Sequence, residues 1–110
     1  MSAGLSIAGE VFWGSNGAVE AYVEALAARA GASFGPDAPL AAFFRQEREG
    51  FFMGKVVFLD HLLEEDAPRQ QFLDSFGAAT AQLLREGGFS AYGREWAASL
   101  GAWLRVKLAA

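Results

Sequence analysis

Cysteine is absent from the 110 residues, and with it go disulfide frameworks, thiolate metal sites and cysteine nucleophiles. The absence suits a reducing compartment. Histidine occurs once, at position 61, and proline three times. A single imidazole leaves little material for histidine-based acid–base chemistry or a multi-histidine metal centre. No apolar run approaches the ~20 residues that span a bilayer, so no membrane partner is expected. Met1 to Glu10 lacks the basic start and long apolar stretch of a secretion signal, and the cytoplasm is the expected location. Basic stripes are missing as well. The net charge is −4, and without clustered Lys and Arg to meet phosphates no nucleic-acid partner is expected.

What the chain does contain points to a packed core. Apolar residues make up 53% and aromatic residues 14%, which excludes disorder. A chain of this length buries well over half of its extended surface, and residues 1–110 are expected to form one domain. Abundant Ala, Gly and Arg fit a GC-rich bacterial genome. The charge is uneven: residues 1–66 carry 10 acids and 4 bases, net −6, and residues 67–110 carry 3 acids and 5 bases, net +2. An acidic first half suits a basic protein partner; ordinary solubility is the simpler account.

Periodicity supplies the elements. From Ala67 to Ala110 two amphipathic stripes meet at Gly87-Gly88: Phe72, Leu73, Phe76, Ala79, Thr80, Leu83 and Leu84, then Tyr92, Trp96, Leu100, Trp103, Leu104 and Leu108. Helical spacing on both sides of a short joint predicts a helical hairpin. Leu5 to Trp13 alternates, with Leu5, Ile7, Val11 and Trp13 on one face, and predicts a strand with one buried side. Gly14-Ser15-Asn16-Gly17 ends it, and Ser15 or Asn16 can cap the next helix. That helix buries Val19, Tyr22, Val23, Leu26 and Ala30, and Gly31 suits its C-cap. Pro39 to Gly50 reads two ways. Asp37 as N-cap, an early Pro39 and the Leu40/Phe43/Phe44 spacing favour a helix; a turn at Glu47-Arg48-Glu49-Gly50 between extended arms is the alternative. Phe51 to Asp60 is apolar on both faces and predicts a central, doubly covered strand. Asp37-Ala38-Pro39 and Asp66-Ala67-Pro68 repeat 29 residues apart. They are better explained as two helix starts than as a duplication.

The residues with chemical potential each meet a plainer account. Gly31-Ala32-Ser33-Phe34-Gly35 spells the nucleophile-elbow pattern, but a helix rather than a strand leads into the serine, and Pro36 follows at once. Trp13-Gly14-Ser15-Asn16-Gly17 joins a strand to a helix N-terminus, where free N–H groups hold anions; no lysine follows, so it is an ordinary turn and cap. Asp60-His61-Leu62-Leu63-Glu64-Glu65-Asp66 gathers the one histidine with four acids. A hard-metal or acid–base site is conceivable there, and a solvated charge run at a helix start is the simpler reading. Glu20 and Glu24 form a solvent face. Arg45, Arg48 and Lys55, interleaved with Glu47 and Glu49, form local ion pairs rather than an anion clamp. Fifteen Phe, Tyr and Trp side chains, 10, 2 and 3 respectively, either fill a dense core or supply an interface.

The expected fold is α+β: a small two- to three-stranded sheet packed against an N-terminal helix and a C-terminal helical hairpin. Two functional classes follow. One is a non-catalytic protein-binding or self-associating domain, of inhibitor, immunity or adaptor type, with a protein partner or a second copy as ligand. The other is a small enzyme or ligand-binding domain with a pocket near Trp13, Asn16, Asp60, His61 and Glu64. No cofactor, metal or catalytic residue is implied.

Overall fold

In the computed structural model, which describes residues 2–87 and 89–108, strand β1 (Ser2–Ile7) turns at once into β2 (Glu10–Ser15). Helices α1 (Asn16–Phe34) and α2 (Pro39–Glu49) follow, then the short strand β3 (Val56–Phe58). A 3-10 turn (Leu62–Glu64) leads to the C-terminal helical hairpin, α3 (Asp66–Glu86) and α4 (Ala91–Lys107). The sheet runs β2-β1-β3, with β1 antiparallel to β2 and parallel to β3. The class is α+β, with the helices on one face of the sheet.

The first strand expected from the sequence is two strands. Ala8 and Gly9 form a two-residue turn with φ of 50° and 83°, and Ile7 pairs with Glu10. Reversal over two residues inverts the side-chain phase. Leu5 and Ile7 remain in the core, but on β2 it is Phe12 and Gly14 that face inward, while Val11 and Trp13 turn to solvent. The sequence does not announce this turn, because Ala-Gly is a poor type I′ pair, which favours Asn or Gly at its first position. Replacing Ala8 by asparagine is therefore expected to raise stability by about 0.5–1 kcal/mol, since an L-alanine held left-handed costs about 1 kcal/mol. Urea denaturation reads the difference.

The second expected strand shrinks to Val56–Phe58 and lies at the edge, not the centre, of the sheet. Gly54, at φ 87°, bends the chain just before it, and the Gly54 amide donates to Asn16 Oδ1 at 2.8 Å. Its apolar faces differ in fate. Val57 and Leu59 are buried, whereas Phe58 is exposed.

The helices follow their stripes closely. Val19, Tyr22, Val23, Leu26 and Ala30 of α1 are all fully buried. Ser15 is the N-cap, accepting from the Ala18 amide at 3.1 Å. The helix runs one turn past Gly31 to its C-cap at Gly35, which adopts φ 91°; glycine carries that conformation without a Cβ penalty. The G-x-S-x-G segment is thus the last turn of a helix. Residues 39–49 are helical, with Ala38 rather than Asp37 at the N-cap, and both Asp-Ala-Pro segments open helices. Gly87 closes α3 in the left-handed conformation; Gly88, Ala109 and Ala110 lie outside the described residues. On α3 and α4 the stripes are buried or half-buried except at the ends that meet, where Leu84 and Tyr92 are exposed. Phe72 and Phe76 of α3 reach Phe44 of α2 and Tyr22 of α1, while Trp96 and Trp103 of α4 settle on β2. No described helix is long and apolar enough to cross a membrane.

Candidate functional site

A three-stranded sheet covered on one side leaves the other open. Because paired residues share a face, Gly4 lies between Trp13 and Val56, and Ser6 between Val11 and Phe58. These six positions make the outer face. Gly4 shapes it. A Cβ built there would stand 2.8 Å from Val11 Cγ1 and 3.3 Å from Trp13 Cε3, so the missing side chain is what lets both residues lie across β1. The result is a low apolar surface, with Val11 37%, Trp13 52% and Phe58 66% exposed. Phe52 and Met53, 61% and 65% exposed, lie in the loop entering β3, with the Phe52 ring beside Lys55. That loop joins the sheet where Gly4 N donates to Lys55 O. Taking about 200 Å² for a whole large side chain, Val11, Trp13 and Phe58 together expose on the order of 300 Å² of apolar surface. That is at the lower end of what the largest patch of a typical monomer shows, about 300–600 Å², and such patches are commonly functional.

One carboxylate reaches the face. Asp60 lies beside the Ala8-Gly9 turn, where its carboxylate accepts from Ser6 Oγ and the Gly9 amide, each at 2.7 Å. These two bonds, the backbone one first, hold its pKa below the usual aspartate value. Lys55, one residue out of phase with Val56, pairs instead with Glu47 of α2, with its ammonium 5.7 Å from the Phe52 ring centre. Asp60 thus ties the hairpin turn to the end of β3. Asp60→Ala is expected to cost about 1–2 kcal/mol, the range for charge-assisted bonds reduced by solvent screening. Since the folded pKa is depressed, this stabilisation is complete above the unfolded aspartate pKa and is lost as pH falls through the folded one. Urea midpoints for wild type and Asp60→Ala should therefore converge in acid.

The five residues singled out from the sequence do not share a crevice. Trp13 and Asn16 lie at the end of the sheet where Ser2 pairs with Ser15; Asp60, His61 and Glu64 lie beyond the other, where Leu59 N donates to Ser6 O. At ~3.3 Å per residue the two groups are roughly 15 Å apart. Asn16 Oδ1 holds the Gly54 amide, and Asp60 performs the structural task just described. The His61 side chain is 99% exposed, with Nδ1 3.5 Å from Glu64 Oε2. Among the described residues no three His, Asp or Glu side chains converge as a metal site would require. Of the five, Trp13 stands on the apolar face. Periodicity places Val11 on a buried side and does not mark Phe58 as exposed, because the hairpin inversion and the edge position of β3 decide their exposure. The available signal was the surplus of aromatic residues.

Two concavities lie elsewhere. Gly77 of α3 and Gly101 of α4 line a groove of about 590 Å³ between the two helices, together with Phe76, Ala97, Leu104, Asp74 and Arg105. A smaller hollow of about 300 Å³ lies between the serine-capped starts of α1 and α4, with Glu86 in its wall. No protein-family model, curated protein or solved structure matches the chain.

Proposed function

We propose that this chain is a non-catalytic protein-binding domain and that the outer face of its sheet is the contact surface. The observation that carries this reading is the apolar outer face of the sheet, where Val11, Trp13 and Phe58 are exposed and Val56 half-buried among the described residues. Exposed aromatic side chains at the centre of a patch are the usual anchors of protein interfaces. Catalysis gains no comparable support, because the only histidine is solvated and the polar groups of Asp60 and Asn16 are engaged in holding turns.

A photo-crosslinking residue at position 58, with a control at Arg94 on the exposed side of α4, tests the reading in the native host. Crosslinks to protein from position 58 and none from position 94 are expected. Equal or absent crosslinking from the two positions overturns it. The groove between α3 and α4 favours a second reading, a small-ligand-binding domain, because its volume falls in the range of about 300–1,000 Å³ typical of ligand pockets. Under that reading a ligand would raise the Tm of wild type but not of Gly101→Leu, whose side chain occupies the groove.

A further inference from the structure

We infer that two copies of this chain pair edge to edge through β2, joining their three-stranded sheets into one continuous sheet. The inference goes beyond the reading above and leaves the outer face open. The hydrogen-bonding pattern of the backbone carries it. Ile7 and Glu10 flank the two-residue turn, so they exchange both of their hydrogen bonds, and bonded and non-bonded pairs alternate from there. Glu10, Phe12 and Gly14 therefore direct their amides and carbonyls to β1. The amides and carbonyls of Val11 and Trp13 point away from it. Their opposite numbers confirm the phase, since Gly4 N donates to Lys55 O and Ser6 O accepts from Leu59 N on the β3 side. β2 ends the sheet, and among the described residues nothing pairs with the backbone of Val11 or Trp13. Such an edge is a template for another strand, and proteins ordinarily blunt it with Pro, Lys or a bulge. Glu-Val-Phe-Trp-Gly-Ser holds no Pro and no Lys, and its pairing with β1 runs without a bulge.

What these groups require is an extended segment with a matching set of free groups, and β2 supplies it to itself. An antiparallel two-fold pairing centred on Phe12 sets Val11 opposite Trp13 of the second copy, and the reverse. The amides and carbonyls of both residues are then paired on both copies. β3 is too short to be the match, with Val56–Phe58 alone, and a β2-to-β3 contact would not close on itself. Charge agrees with the register. The one ionisable residue of β2 is Glu10, which meets Gly14 of the second copy. The two Glu10 carboxylates are thereby held four positions apart, roughly 13 Å at ~3.3 Å per residue, beyond the Debye length of about 8 Å. On the outer face each Val11 stands beside a Trp13, a favourable β-branched–aromatic pair. The two outer faces also adjoin, so the surface proposed above for protein contact doubles to about 600 Å².

Light scattering and residue-resolved hydrogen exchange on the purified chain test the inference. Contacts of this size are transient, so association is read at about 1 mM. The expected mass there approaches twice the 11.7 kDa of one chain and falls on dilution. The Val11 and Trp13 amides should exchange about 10-fold more slowly at about 1 mM than at about 10 µM. Val11→Pro removes one donor from each copy at a position where an edge strand tolerates proline; circular dichroism should match wild type and the mass should stay at one chain. The exchange measurement needs no variant and decides the matter even if Val11→Pro fails to fold. A one-chain mass at 1 mM, equal exchange of the two amides at both concentrations, or a dimer that folded Val11→Pro leaves intact overturns the inference. So does a dimer broken by Phe58→Glu with the two amides unprotected, which would put the contact on the face. A monomeric chain that crosslinks from position 58 to a different protein loses the edge pairing and keeps the protein-binding reading.

Discussion

Replacing Tyr22 by alanine is expected to remove about 4 kcal/mol of stability, within the 3–5 kcal/mol typical of deleting a buried aromatic ring. Tyr22 is fully buried on α1, and its ring is the meeting point of three other elements. It stacks on Phe76 of α3 with centroids 5.0 Å apart, meets Trp96 of α4 edge-on at 5.4 Å, and touches Phe89, in the α3–α4 connection, at 5.6 Å. Its hydroxyl shares a hydrogen with Thr80 Oγ1 at 2.8 Å. Small domains hold only about 5–15 kcal/mol in total, so this variant sits near the threshold of folding. Tyr22→Phe separates the ring from the hydroxyl. Thr80 retains its bond to Phe76 O at 2.9 Å, and the loss should be about 1 kcal/mol, one hydrogen bond. Burial raises the phenol's pKa above its ordinary value of 10.0. The folded state therefore favours the neutral form, and its advantage is intact below pH 10 and lost as pH rises through the folded value. Urea midpoints across that range should fall for wild type through this group, and Tyr22→Phe should lack that part of the fall.

Helix α1 was legible in the sequence because its five stripe residues repeat at helical spacing and nothing tertiary contradicts them. The same holds for Trp96, Leu100 and Leu104 of α4. Legibility failed where a local choice between two backbone states decided the outcome. Ala8-Gly9 carries no Asn or Asp to announce a tight turn, yet reversing the chain there moves Val11 and Trp13 from core to solvent. Phe51 to Asp60 looked like a central strand because hydrophobicity on both sides ordinarily means burial on both sides. In fact Gly54 bends the chain just before a short edge strand, whose outward Phe58 stays exposed and outward Val56 is half-buried. The candidate face is the joint product of these two events. Periodicity over a short window therefore located the helices but not the surface that distinguishes this molecule. The expected pocket near Trp13, Asn16, Asp60, His61 and Glu64 requires the Leu5–Trp13 and Phe51–Asp60 segments to end side by side, and once the first folds back at Ala8-Gly9 its members separate to the two ends of the sheet.

Gly14→Val is expected to lower stability by about 2–3 kcal/mol, the upper part of the ~1–3 kcal/mol range for overpacking a filled contact. The effect is steric rather than conformational, because Gly14 does not adopt a positive φ and strand backbone accepts valine readily. What stands in the way is the indole of Trp96. A Cβ on Gly14 would lie 3.0 Å from Trp96 Cε2 and 3.1 Å from both Cδ2 and Nε1. Trp96 has little room to retreat. Tyr22 blocks one side, and its own Nε1 donates to Phe12 O at 3.4 Å, a bond already near the limit of useful length. Alanine should need a shift of a few tenths of an ångström and cost about 1 kcal/mol; the branched methyls of valine add clashes that such a shift does not relieve. The loss should be local. Amides of residues 91–107, which reach the sheet through Trp96 and Trp103, should lose hydrogen-exchange protection before those of α1, whose contacts the substitution leaves intact. Uniform loss of protection across both helices would mean that α4 docking and the α1 core form one cooperative unit. Unchanged protection in residues 91–107 would show that the contact between Gly14 and the indole does not hold α4 on the sheet.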